Sequence, residues 1–310
     1  MARHYGIPYM GSKQKLVDKF IPFIVNRHPG VTHFYDLFGG GASIALYAVR
    51  KYPKISVHYN ELSNAVGGLL QYLKDGGDIP FDFIPRQDFE RDYTREDWYG
   101  GLLQTCWTFG NNQKSYLYGL RIEEFKQEAT KLVMTGKGNI DFLEQFNNKY
   151  VDEMFKRVDF NTRIYMDSKR YKTPYQRRIV LNRQLPELGP LQHMARLERL
   201  KQIQQMPSLQ RLNITSGKTY KEVNITGKNI IVYCDPPYEN TAEYKEGGFD
   251  HKEFYEWVMT RTFPVYLSSY KISDPRLKLI KAVKTRSLLA SAYTDKASYN
   301  YENLYWNGVV

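Results

Sequence analysis

Residues 31–59, VTHFYDLFGGGASIALYAVRKYPKISVHY, constrain the fold most. The run 31–37 is β-like, three glycines at 39–41 make a turn, and helical spacing begins at Ser43. A second β-like run extends through Tyr59 to an acidic end at Glu61, and another helical segment follows. Strand, helix, strand, helix in this order predicts a parallel sheet covered by helices. The theme resumes with β-like runs at 209–215, Ile230–Cys234 and Val265–Ser269. Helices are expected over 13–27, with Pro22 kinking it or marking its last turns, and over 189–206 on the stripe Leu191, Met194, Leu197, Leu200 and Ile203. Asp250 and Glu253 have capping-box spacing, so another helix is expected there. The end, KTRSLLASAY to YENLYWNGVV, reads as two strands and a polar turn, a final hairpin.

Between about 80 and 205 the apolar alternation weakens and charge and tyrosine rise. Residues 156–183 hold Lys156, Arg157, Arg163, Lys169, Arg170, Lys172, Arg177, Arg178 and Arg183 against only Asp159 and Asp167. With a net charge of +11 and 26 tyrosines, the chain suits a polyanionic partner and stacking at wet surfaces. The expected organisation is therefore a sheet domain from 1–79 and 206–310, interrupted by a mainly helical basic insertion at 80–205. Cys106 and Cys234 form no C-x-x-C pair, and no two of the six histidines have ligand spacing, so no metal is implied. The N-terminus lacks the apolar core of a signal peptide, and no run approaches the roughly 20 apolar residues of a spanning helix. A reducing cytoplasm is expected.

The glycine turn narrows the ligand. A dinucleotide fingerprint needs a third glycine where Ile44 stands, which disfavours a nicotinamide oxidoreductase, and no Gly-Lys-Ser/Thr follows. Asp36 before the turn would repel phosphate but suits a cation such as S-adenosylmethionine (AdoMet), which carries an ammonium and a sulfonium. Glu61 stands where an acid often holds ribose hydroxyls. On these residues alone a packing turn is an equal reading. The stretch IIVYCDPPYENT, 230–241, ends an apolar strand in a carboxylate, two prolines and a ring. Cys234 there reads as core. Trp98 and Trp107 fit either core or a surface facing nucleic acid.

Taken in order, PYMGSKQKL (8–16), DLFGGGAS (36–43) and DPPY (235–238) resemble the Dam-type DNA N6-adenine methyltransferases, D12 class. The likeness continues through VYLSSY (265–270) and YENLYWNG, and is loose across 80–205. CWTFGNNQKSYLYG (106–119) resembles a segment of phage-type members that lies near the active site. The resemblance implies an α/β, Rossmann-like AdoMet-dependent methyltransferase sheet with a C-terminal antiparallel hairpin, interrupted by a target-recognition insertion. It implies Asp235, Pro236, Pro237 and Tyr238 as the catalytic motif. Tyr9, Lys13, Asp36, Phe38, Gly39, Gly41, Ser43 and Glu61 would hold AdoMet. Tyr220 would hold AdoMet too, standing where the family often has an acidic-aromatic pair on the cofactor's adenine, with Thr219 in place of the acid. Lys156, Arg157, Arg163, Lys169, Arg170, Lys172, Arg177 and Arg178 would contact double-stranded DNA. A restriction endonuclease of the same system is a partner that the resemblance allows, in a bacterial or phage setting. RNA methylation and a silent DNA-binding homologue are the alternative readings.

Overall fold

A computed structural model describes residues 6–155, 162–166, 170–186, 189–239, 248–286 and 299–310. Strands β1 (His33–Asp36), β2 (Ser56–Glu61), β3 (Asn213–Ser216), β4 (Ile230–Cys234) and β5 (Val265–Ser269) pair in parallel. The last strand, β7 (Tyr299–Trp306), lies antiparallel between β5 and β6 (Lys278–Arg286), giving the order β3-β2-β1-β4-β5-β7-β6. This is the expected sheet with its C-terminal antiparallel hairpin; the polar turn expected there lies outside the described residues. β4 and β5 have the expected bounds. The strand expected at 209–215 starts only at Asn213, because Pro207 opens a 3-10 turn over Pro207–Arg211. Proline suits the first position of a helical turn and has no N–H for a ladder.

The helix expected at 13–27 is a 3-10 turn, Lys13–Lys15, followed by α1 (Val17–Asn26). Pro22 does not end α1, since buried Phe20, Ile21 and Ile24 hold the helix on the core around it. Helices α2 (Ser43–Lys51) and α3 (Asn64–Lys74) join α1 in one apolar cluster with Phe34, Val57, Tyr59, Ile231, Tyr233 and Tyr266 of the sheet. Each large apolar side chain fully buried there contributes roughly 1.5–3 kcal/mol.

Between α3 and β3 come α4 (Arg86–Asp92), α5 (Trp98–Cys106), α6 (Leu120–Thr135), α7 (Ile140–Phe155), α8 (Pro174–Gln184) and α9 (Gln192–Gln204). Phe89 of α4, Leu102 and Leu103 of α5, Trp107, and Leu197, Leu200 and Ile203 of α9 belong to the main cluster. Trp107 is therefore a core residue, and Trp98 stacks on Tyr72 at 3.9 Å between ring centroids. A separate cluster joins Phe125 and Leu132 of α6, Leu143 of α7, Leu181 of α8 and Met194 of α9. The opposite sheet face, with Tyr35, Leu37, Val232, Cys234 and Leu267, is covered by Phe254, Tyr255 and Val258 of α10 (His251–Met259). The expected cap is present: the Asp250 carboxylate accepts the Glu253 amide at 2.9 Å. Among the described residues no helix is long and apolar enough to cross a membrane.

Candidate active site

From β1 the chain builds outward to β2 and β3 on one side, and β4 and β5 lie on the other. Such a reversal opens a crevice at the C-terminal ends of the two central strands, where ligands bind in open parallel sheets. Asp36 ends β1 and Asp235 follows β4. The pairing Asp36↔Tyr233 puts Asp36, Tyr233 and Asp235 on one sheet face. Tyr233↔Tyr266 and Ser268↔Leu304 extend that face to Ser268 and Glu302.

Asp36 is 1% exposed; the Ala45 amide lies close enough to pull on its carboxylate, but among the described residues neither oxygen has a hydrogen-bond partner of full geometry. Burial, reinforced by the neighbouring Asp235 carboxylate, pushes its pKa well above the usual range. Burial of this kind disfavours a bare carboxylate and favours a proton or a cation beside it. The glycine turn beside it is tightly packed. A Cβ on Gly39 would stand 2.1 Å from the Tyr59 ring, and one on Gly41 would stand 2.7 Å from the Ile7 carbonyl. Tyr9 covers Gly40, and Ser43 is buried at the start of α2. Glu61 accepts the Gly40 amide at 2.7 Å and the Ser63 amide at 3.0 Å, so one of its oxygens braces the glycine turn and the other the start of α3. Burial raises its pKa against the pull of those amides.

Lys13 lies beside Asp235. Its Nζ is 2.7 Å from Asp235 Oδ2 and 3.4 Å from Glu302 Oε1, and 4.9 Å from the centre of the Tyr238 ring. Burial alone would lower its pKa, but the Asp235 and Glu302 carboxylates outweigh burial and raise it. Ser268 donates to Asp235 Oδ1 at 2.8 Å and itself accepts from the Tyr233 hydroxyl at 2.7 Å. The Tyr238 hydroxyl donates to Glu302. His251 donates to the Pro237 carbonyl at 2.8 Å, and Glu239 accepts from Tyr255 and from the Ser273 amide. The Asp-Pro-Pro-Tyr segment is thus tied down on several sides. Of these groups Ser268 and Glu302 fall in the segments VYLSSY and YENLYWNG, to which the resemblance assigns no role, and His251 falls in no motif. Glu302 carries one readable sign: it alternates with apolar Leu304, which places an acid on the inward face of a strand.

Phe38 and Tyr220 meet, with ring centroids 5.8 Å apart and the planes 25° from parallel, beside Phe249 and Phe254. Phe109, at the tip of the 106–119 segment, is two-thirds exposed at 66%, while Trp107 next to it is fully buried.

The basic segment divides. Lys156, Arg157 and Lys169 lie outside the described residues. Arg163, Arg170 and Lys172 are exposed. Arg177 corrects the expectation of a DNA contact: it is buried, and its guanidinium donates to the carbonyls of Val133, Met134, Tyr171 and Lys172. Val133 and Met134 end α6, where helix carbonyls lack intrahelical donors, so Arg177 serves as a cap. Arg178 is bound in two hydrogen bonds, 3.1 and 2.6 Å, to Glu198 of α9 and is also taken up in packing.

A parallel sheet extended by an antiparallel hairpin, with a buried acid after the first strand and Asp-Pro-Pro-Tyr after the fourth, defines the Rossmann-like methyltransferase class. Within it, the chain belongs to the D12 class N6 adenine-specific DNA methyltransferases, whose family model matches residues 9–271. No curated protein matches the chain significantly in sequence.

Proposed function

We propose that the protein transfers a methyl group from AdoMet to N6 of an adenine flipped out of double-stranded DNA. The observation that carries this reading is the juxtaposition of two carboxylates on one sheet face, Asp36 with no side-chain partner among the described residues and Asp235 held by Lys13 and Ser268. Asp36 fits AdoMet because among the described residues no cation pairs with its buried oxygens and the cofactor is a cation; when bound, AdoMet supplies an electrophilic methyl. The adenine amine is a poor nucleophile, since its lone pair is delocalised into the ring. Asp235 and the Pro236 carbonyl would accept its two N–H bonds, favouring a pyramidal nitrogen with the lone pair aimed outward. Prolines fix the backbone that presents that carbonyl, and preorganised acceptors need no rearrangement during reaction. Tyr238, anchored at its hydroxyl, offers a ring face to the base.

Flipping the base costs a few kcal/mol, which contacts to phosphates offset. The unit suited to those contacts is the part of 80–205 with its own apolar cluster, α6 to α8 and the start of α9, together with exposed Arg163, Arg170 and Lys172. Labelled methyl should pass from AdoMet to adenine in DNA and not in RNA, and Asp235→Ala should abolish transfer. Label on cytosine N4, or equal transfer to RNA, would overturn the substrate assignment.

A further inference from the structure

Two acids share one buried lysine at this site, although a carboxylate clamp for an amine needs only one of them. Lys13 Nζ is within ion-pair reach of both Asp235 (2.7 Å) and Glu302 (3.4 Å), and Glu302 also accepts the Tyr238 hydroxyl. We infer that Glu302 is a positioning residue. It fixes the ring on which the base would stack, and it draws part of the Lys13 charge away from Asp235, so that Asp235 stays a strong acceptor. This rests on the methyl-transfer reading above.

The charges argue for it. Lys13, Asp235 and Glu302 together carry one net negative charge in a buried setting. The amine nitrogen turns cationic as the methyl arrives, and a fixed negative charge stabilises that state more than the neutral ground state. Without Glu302 the group would be neutral, and Lys13 would oppose the developing charge. The groups facing Glu302 are Lys13 from the N-terminal turn, Asp235 and Tyr238 after β4, Tyr233 within β4 and Tyr270 after β5.

Steady-state kinetics over a pH range, on duplex DNA, test the assignment with Glu302→Gln, Lys13→Gln and the double variant. Glutamine keeps an acceptor for the Tyr238 hydroxyl. In Glu302→Gln, kcat should fall about 10²-fold, while KM for DNA and the Kd for AdoMet stay within about threefold. Lys13→Gln leaves two facing carboxylates, so the acid limb of the kcat profile should move up by about one pH unit or more, and the double variant should move it back. Melting temperatures report the same balance without turnover. Removing Lys13 takes away the charge that pulls the Glu302 pKa down, so that pKa rises further in the folded state and the stability of Lys13→Gln should fall relative to wild type as pH rises from 5 to 8. The double variant should lose little. A Glu302→Gln kcat within threefold of wild type overturns the inference. So do acid limbs, or melting profiles, that are the same in Lys13→Gln and in the double variant. Wild-type protein that methylates no DNA would instead overturn the methyl-transfer reading, and the melting comparison would still judge Glu302.

Discussion

Arg177→Met separates a structural arginine from a DNA-binding one. Methionine fills most of the same volume, so the loss is chiefly one of hydrogen bonds. Two of the four carbonyl acceptors, Val133 and Met134, lie in the last turn of α6 and have no intrahelical donor to fall back on. Each bond from a charged donor contributes about 1.5–3 kcal/mol, and a cation at a helix C-terminus adds about 0.3–1 kcal/mol. A loss of about 3–7 kcal/mol follows when the part-buried Tyr171 and Lys172 carbonyls find water. Arg178→Met should cost less, about 1–2 kcal/mol, because the pair with Glu198 is partly exposed. Urea unfolding followed by circular dichroism gives the totals. Hydrogen exchange at the amides of α6 and α8 locates them, since these helices share a cluster separate from the main core. An Arg177→Met protein that unfolds at the wild-type urea concentration, yet binds DNA more weakly with a shallower salt dependence, would refute the structural assignment.

Three further outcomes are expected. The raised pKa of Asp36 should fall when a cationic cofactor binds, so AdoMet affinity should rise with pH up to the free-state pKa, with proton release in calorimetry; Asp36→Asn should bind weakly and without that pH dependence. His251→Ala frees the Pro237 carbonyl and should lower kcat about tenfold with little change in melting temperature, read by methyl incorporation. Replacing exposed Arg163, Arg170 and Lys172 by glutamine should weaken binding to all duplex sequences, and the slope of log K against log salt should become shallower by about one for every phosphate left without its cation.

The sheet was legible wherever apolar runs were bounded by punctuation. β4 is closed by Asp-Pro-Pro and β5 follows Pro264, and both have the bounds read from the sequence. β3 starts later than the apolar pattern suggests, because Leu209 looks β-like but is buried from a 3-10 turn begun by Pro207. The chemistry of the site was legible only as types of residue. Asp36 and Asp235 announce themselves by ending strands. That Lys13 serves Asp235 is a fact of register and packing, set by residues 222 positions apart, and no local pattern encodes it. Arg177 misled for a related reason: a run of basic residues shows charge, whereas burial depends on where the end of α6 lies.

The position of β7 has a consequence for how the molecule is made. Lys13 leaves the ribosome early, Asp235 more than two hundred residues later, and Glu302 later still. β5 can reach its antiparallel partner only after residues 299–306 have emerged. Contacts of such long range close slowly, because chain entropy must be spent before they form. A partly synthesised chain would have the glycine turn and the Asp-Pro-Pro-Tyr segment, yet Lys13 would face Asp235 with no second acid. Completion of the site would then coincide with completion of the sheet, which ties competence for chemistry to the pairing of β5 with β7.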